Sequence, residues 1–209
     1  MVNDVSGLRR DALMGGVVAR SRAALVLMHI RGTPRTMQQL PPVQNGVAVV
    51  RRGLSESLRR ALRAGIRKRK IVLDPRIGFG KSVEQNFEIV NGLHRLAALG
   101  YPILVGPSRK SFIRLIISES RLVSGSRIVS GSRTVSELLP AQSPKRKPRT
   151  ATDKSLSLPV PDELLFGTAA AVTAAILHGA HIVRIHDVRQ MLPVVRVADQ
   201  FLASGPRSA

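Results

Sequence analysis

Residues 71–82, from Ile71 to Ser82, read IVLDPRIGFGKS. A short apolar run, Ile71–Leu73, ends at a carboxylate, Asp74, followed by Pro75. A turn with Gly78 and Gly80 comes next, and Ser82 with Gln85 three residues later is the capping-box signature of a helix start. Phe87, Val90, Leu93 and Ala97 then recur at helical spacing until Gly100 and Pro102 stop the pattern, which predicts one helix over 82–99. The unit is strand, polar loop, helix.

The same unit recurs on both sides. Ala23–His29 (AALVLMH) is a continuous apolar run, as expected of a strand covered on both faces in a parallel sheet. A loop, Ile30–Asn45, leads to a helix over Val47–Ala64, with Leu54, Leu58 and Leu62 on one side and Glu56 and Arg60 on the other. Pro102–Val105 and His181–Ile185 read as strands, Phe166–His178 and Val188–Leu202 as helices, and the residues before Asn3 as the tail of a further strand. Repeats of this kind mean a parallel sheet with helical crossovers. Polar residues follow each strand: Asn3-Asp4, His29, Asp74, Ser108-Arg109-Lys110 and Arg184-His186-Asp187. Both a (βα)8 barrel and a doubly wound sheet bind ligands at that end of their strands, so spacing alone leaves the two open.

Composition narrows the function classes. The 209 residues contain no cysteine, which excludes a disulfide scaffold, a cysteine nucleophile and a thiolate zinc site. The net charge is +20, of which +12 lies in residues 1–70 and +6 in 114–158. Such a charge suggests nucleic acid or another anionic surface. However, the absence of Trp, with one Tyr and five Phe, leaves few platforms for stacking bases. Nucleic acid is therefore not expected as a partner. The longest apolar run, Leu164–Val183, is interrupted by Gly167, His178, Gly179 and His181 and reads as a buried helix and strand, not a membrane span. The first residues lack the pattern of a signal peptide. A cytoplasmic protein is expected.

Residues 115–159 break the alternation. Ser120–Gly125 (SRLVSG), Ser126–Gly131 (SRIVSG) and Ser132–Glu137 (SRTVSE) form a six-residue repeat, followed by Lys145-Arg146-Lys147-Pro148-Arg149. Six residues are too few for a solenoid unit, and the segment reads as a disordered, low-complexity basic insert between 1–114 and 160–209.

Phosphate-loop motifs fail on inspection. Gly78-Phe79-Gly80-Lys81-Ser82 would need glycine at 75 for a Walker loop and at 83 for a dinucleotide fingerprint, and these positions hold Pro75 and Val83. Asp74 reads either as a turn residue before proline or as a carboxylate that pairs with ligand N–H donors. Arg184 and His186, two apart on a strand, share a face and suit a phosphate, or else form a structural salt bridge with Asp187. Ser108-Arg109-Lys110-Ser111 at a helix start makes an anion site or a solvated basic turn. No His or Glu spacing argues for a metal site built by the protein alone.

Taken together, Val2–Leu8 (VNDVSGL), Leu25–Met37 (LVLMHIRGTPRTM), 71–81 (IVLDPRIGFGK), Pro102–Ile113 (PILVGPSRKSFI) and Gly167–Val188 (GTAAAVTAAILHGAHIVRIHDV) resemble dihydropteroate synthase, in the order that family shows. The resemblance covers nearly all of 1–113 and 160–205. It implies an α/β fold, the TIM (βα)8 barrel of the pterin-binding type. It also implies a magnesium-assisted transferase of folate biosynthesis, a sulfonamide target, that joins p-aminobenzoate to 6-hydroxymethyl-7,8-dihydropterin diphosphate. By the motif match, Asn3, Asp74 and Lys110 would hold the pterin edge, and Met28, Phe79 and Gly106 would line its pocket. Arg184 would lie against the ring and, with His186, bind the diphosphate. Ser108 and Arg109 would sit at the p-aminobenzoate end. Lys110, Arg184 and His186 would carry the catalysis.

The chain departs from the family in three ways. The family begins about three strands earlier, so the asparagine that binds magnesium has no counterpart here, and 164 residues outside the insert amount to about five of eight barrel units. Arg76 stands where the family usually has glycine. The insert falls beside Lys110, near the family's homodimer surface, which counts against that dimer here. A five-unit piece with open edges is expected to be poorly stable and inactive alone. A non-catalytic anion- or nucleic-acid-binding protein, driven by the charge, is the reading from a different class.

Overall fold

A computed structural model describes residues 1–33, 36, 37, 40, 41, 43–122 and 161–204. Its strands are β1 (Val2–Asp4), β2 (Leu25–Met28), β3 (Ile71–Asp74), β4 (Leu104–Val105) and β5 (Ile182–Val183). All pair in parallel. β1, β2 and β3 form one ladder, β4 and β5 another, and a single parallel bridge between Leu73 and Ile103 joins them. The expected parallel sheet with crossovers is present.

Seven helices are described: α1 (Met14–Ser21), α2 (Gly46–Arg63), α3 (Val83–Asn91), α4 (Leu93–Ala97), α5 (Ser111–Leu122), α6 (Pro161–Leu177) and α7 (Val188–Ser204). α2 starts where the Asn45 side chain accepts from the Ala48 amide and the Glu88 carboxylate accepts from the amides of Gly46 and Val47. Ser82 and Gln85 close the expected capping box on α3.

The alternation of side chains along the strands separates two environments. Leu25, Leu27, Ile71, Leu73, Ile103 and Val105 join the main core with Val47, Val50, Leu54, Leu58, Ile89, Leu93 and Leu96 from the helices. Val26, Val72 and Leu104, on the opposite face, make a small cluster of their own. α6 packs on both α5 and α7. Gly167 allows the first contact: a Cβ there would lie 2.6 Å from Ile113 Cγ2.

Three expectations need correction, and one helix lies where none is expected. The helix over 82–99 is two helices that meet at Gly92, where a Cβ would sit 2.6 Å from Val47 Cγ2 on α2. α1 was not anticipated, since MGGVVARS carries two glycines and no side-chain cap. The strands at 102–105 and 181–185 shorten to two residues each. Residues 115–122, expected in the insert, continue α5. The rest of that segment, including most of the six-residue repeats and the basic run at 145–149, lies outside the described residues.

Candidate functional site

Parallel strands bring their C-terminal ends to one side of the sheet. Met28 is in register with Asp74, and both continue the face of Val26 and Val72. Asn3, in register with Val26, shares that face on the outer strand β1 and is exposed. Gly106 and Arg184 extend the same face beyond β4 and β5. A Cβ on Gly106 would stand 3.1 Å from Arg184 Nη2, so glycine makes room for the guanidinium.

Asp74 is the centre of this face. It is 1 % exposed, and burial pushes its carboxyl above the usual carboxylate range despite two donors. Oδ1 accepts from the Arg76 amide at 2.7 Å and Oδ2 from Arg184 Nη2 at 3.1 Å. The Arg184–Asp74 pair spans the sheet, and Asp187 pairs with Arg109 rather than with Arg184.

The loop after Asp74 is held from several sides. Arg76, Gly78 and Gly80 all have positive φ, at 52°, 84° and 61°. Asn86 Oδ1 accepts from the Gly78 amide, and Lys81 Nζ donates to the carbonyls of Arg76 and Phe79. Burial, with Arg76 nearby, pushes the Lys81 amine down to about 7. Phe79 projects beside two cations: Lys110 Nζ lies 3.7 Å and Arg76 Cζ 4.4 Å from its ring centroid. Gly78 again leaves space, since a Cβ would meet Lys110 Cδ at 2.7 Å. The Lys110 amine is pushed down to about 8, by burial first and then by Arg184.

The turn after β4 meets the segment after β5. Ser108 Oγ lies 2.8 Å from His186 Nδ1 and accepts from the His186 amide. When the hydroxyl donates to Nδ1, a neutral His186 carries its proton on Nε2. Arg109 grips both carboxylate oxygens of Asp187. The structure therefore joins Asp74, Arg184, Gly106, Lys110 and Phe79 in one group and Ser108 with His186 in a second. Arg184 and His186 lie beyond the strand end at Val183, and each bonds a different element.

Two contributors escaped the sequence reading, and a third, His29, was read only as a polar residue at a strand end. Lys81 and Asn86 shape the loop, and the signal for them was present: a lysine and an asparagine flanking a glycine turn rich in free carbonyls and amides. His29 is 5 % exposed with Nδ1 unpartnered among the described residues, and burial pushes it down to about 3. Gly53 makes room for its ring, since a Cβ there would lie 2.6 Å from His29 Cδ2, a contact that spacing along the chain does not reveal. Among the described residues no three His, Cys, Asp or Glu cluster to hold a metal. No described helix is long and apolar enough to cross a membrane.

Residues 1–186 match the pterin-binding enzyme family, a span that holds every residue of this site. The chain belongs to that family. It is 36 % identical to the dihydropteroate synthase of Synechocystis over 95 % of its own length and 55 % of that protein's. The structure resembles the dihydropteroate synthase of Thermus thermophilus, with a TM-score of 0.69, 31 % identity and coverage of 96 % of this chain and 63 % of the other. It also resembles the enzyme of Xanthomonas albilineans solved with 7,8-dihydropteroate, with a TM-score of 0.68, 30 % identity and coverage of 99 % and 60 %. The resemblance drawn from the motifs is thus borne out. The chain spans between about half and two thirds of the length of these relatives.

Proposed function

We propose that the described strands are consecutive strands of a (βα)8 barrel and that the chain serves the dihydropteroate synthase reaction. In that reaction the amine of p-aminobenzoate attacks the methylene carbon of 6-hydroxymethyl-7,8-dihydropterin diphosphate. A C–N bond forms, the C–O bond to diphosphate breaks, and the amine loses a proton. The observation that carries this reading is the buried Asp74 on the ligand-facing side, ringed by Arg184, Lys110 and Phe79.

Asp74 would accept from the amino group and ring N–H of the pterin, with Asn3 and Lys110 along the same edge and Met28, Phe79 and Gly106 lining the pocket. Arg184 would lie against the ring. Arg184 and the Nε2–H of His186 would stabilise the charge that builds on the departing diphosphate. Ser108 would hold His186 for that purpose through the 2.8 Å contact and, with Arg109, face the p-aminobenzoate end. Holding both partners in line supplies much of the remaining acceleration. Magnesium would enter with the diphosphate, and the described residues of this chain offer it no set of ligands. A cytoplasmic location goes with the same reading, while the insert beside Lys110 counts against the family's homodimer. The alternative of a nucleic-acid-binding protein draws no support from the relatives described above.

The test is turnover, and its absence in a folded chain would bear out the expectation that the chain is inactive alone. The purified chain is incubated with the pterin diphosphate, p-aminobenzoate and magnesium, and dihydropteroate is detected by mass. Product that needs both substrates and disappears in Asp74→Asn supports the reading. Release of diphosphate without dihydropteroate would replace it with a hydrolase.

A further inference from the structure

Arg76 has no part in the proposed reaction, yet its side chain is the least expected at the site. Its φ of 52° lies in the left-handed region that favours glycine. The residue is 9 % exposed, and Nε and Nη1 are buried without a hydrogen-bond partner among the described residues. Buried guanidinium N–H groups normally find acceptors, because desolvating them without one is costly. Here the group is held against a ring instead, with Cζ 4.4 Å from the Phe79 centroid. Asp74 does not bond the guanidinium: Oδ1 takes the Arg76 backbone amide and Oδ2 takes Arg184.

The geometry points to Arg76 as an occluding residue that occupies part of the pterin pocket and must leave the Phe79 ring before a flat heterocycle can settle there. This inference rests on the pterin reading and deepens it. A guanidinium is planar, rich in donors and suited to stacking on an aromatic face, so it imitates the amino-heterocycle that Asp74 and Phe79 would hold. Its unpaired donors make the buried position weakly held, since rotation outward returns Nε and Nη1 to water. Pterin then binds the fraction of molecules with the guanidinium outside, and its apparent affinity falls by that fraction. Glycine at 76 would remove the occupant and suit the backbone. Alanine would remove the occupant and keep the unfavourable φ, so the two variants separate the side chain from the loop.

The experiment titrates the wild-type chain, R76G and R76A with 6-hydroxymethylpterin and follows pterin fluorescence, with thermal melts in parallel. Both variants are expected to bind about tenfold more tightly than wild type or better, by similar factors. Should R76A fail to fold, R76G carries the comparison. Equal affinity with and without the guanidinium, or weaker binding by the variants, overturns the inference while the pterin reading stands. Binding by no form of the chain overturns both.

Discussion

β3 and β5 end on the same side of the sheet but are built in opposite ways. β3 is four residues long, buried throughout, paired along its length with β2 and bridged to Ile103 on the other side. β5 is two residues long, partly exposed, and paired with β4 alone among the described residues. Their functional residues differ accordingly: Asp74 is 1 % exposed, whereas the Arg184 side chain is 48 % exposed. The contrast separates two tasks. On the proposed function, a carboxylate that reads the edge of a heterocycle would gain from a fixed, dry position, whereas groups that accompany a charged leaving group would need access to water and freedom to follow it.

The largest expected effect tests the packing difference. Leu54 is fully buried behind β2 and β3, so Leu54→Ala should cost about 2–5 kcal/mol of unfolding free energy. Ile182 on β5 is 37 % exposed, and Ile182→Ala should cost about 1 kcal/mol or less. Urea unfolding of both variants checks this, and equal losses would erase the contrast.

The next effect concerns ligands. Arg184→Gln should weaken inorganic diphosphate binding by about 1.5–3 kcal/mol, the usual worth of a hydrogen bond to a charged group, as read by calorimetric titration. Ser108→Ala, which only loosens His186, should lose less. The reverse order would move the anion site to the β4 turn.

The pH dependence sharpens the picture of the β3 loop. Folded Lys81 titrates at about 7 and an unfolded lysine at 10.5, so between these values the unfolded chain holds more protons. Stability should therefore rise with pH across that window, with Lys110 adding in the same direction from about 8. Lys81→Met should flatten the rise in thermal midpoint. At the acid end, His29 protonates near 6.5 when unfolded and only near 3 when folded, so its contribution should be lost as pH falls through that range.

The smallest effect is at the exposed pair. Asp187→Asn breaks the bridge to Arg109, whose side chain is 54 % exposed, and should change stability by about 1 kcal/mol or less.

Much of this was legible in the sequence, for identifiable reasons. The strands Leu25–Met28 and Ile71–Asp74 could be read because their continuous apolar runs end abruptly in polar residues. The start of α3 could be read because Ser82 and Gln85 signal through local bonds. The placement of Asp74, Phe79 and Lys110 around one site followed from motifs that stood in a family order. What could not be read depends on contacts distant in sequence. Gly92, packed against Val47, stands between two helices where the periodicity runs on as one, and Asp187 turns to Arg109 while Arg184 crosses to Asp74. The two-residue strands β4 and β5 lie below the length at which an apolar run fixes its own limits. Arg76 was visible as a departure from the family, but its burial against Phe79 was not.

The central claim is that Asp74 reads a pterin from a buried position, and titrating wild-type chain and Asp74→Asn with 6-hydroxymethylpterin tests it most directly. The account predicts saturable binding of one pterin per chain that weakens about 100-fold in the variant, as expected when a buried charge-assisted acceptor is lost. Binding that ignores the substitution, or no binding to a folded wild-type chain, would contradict it.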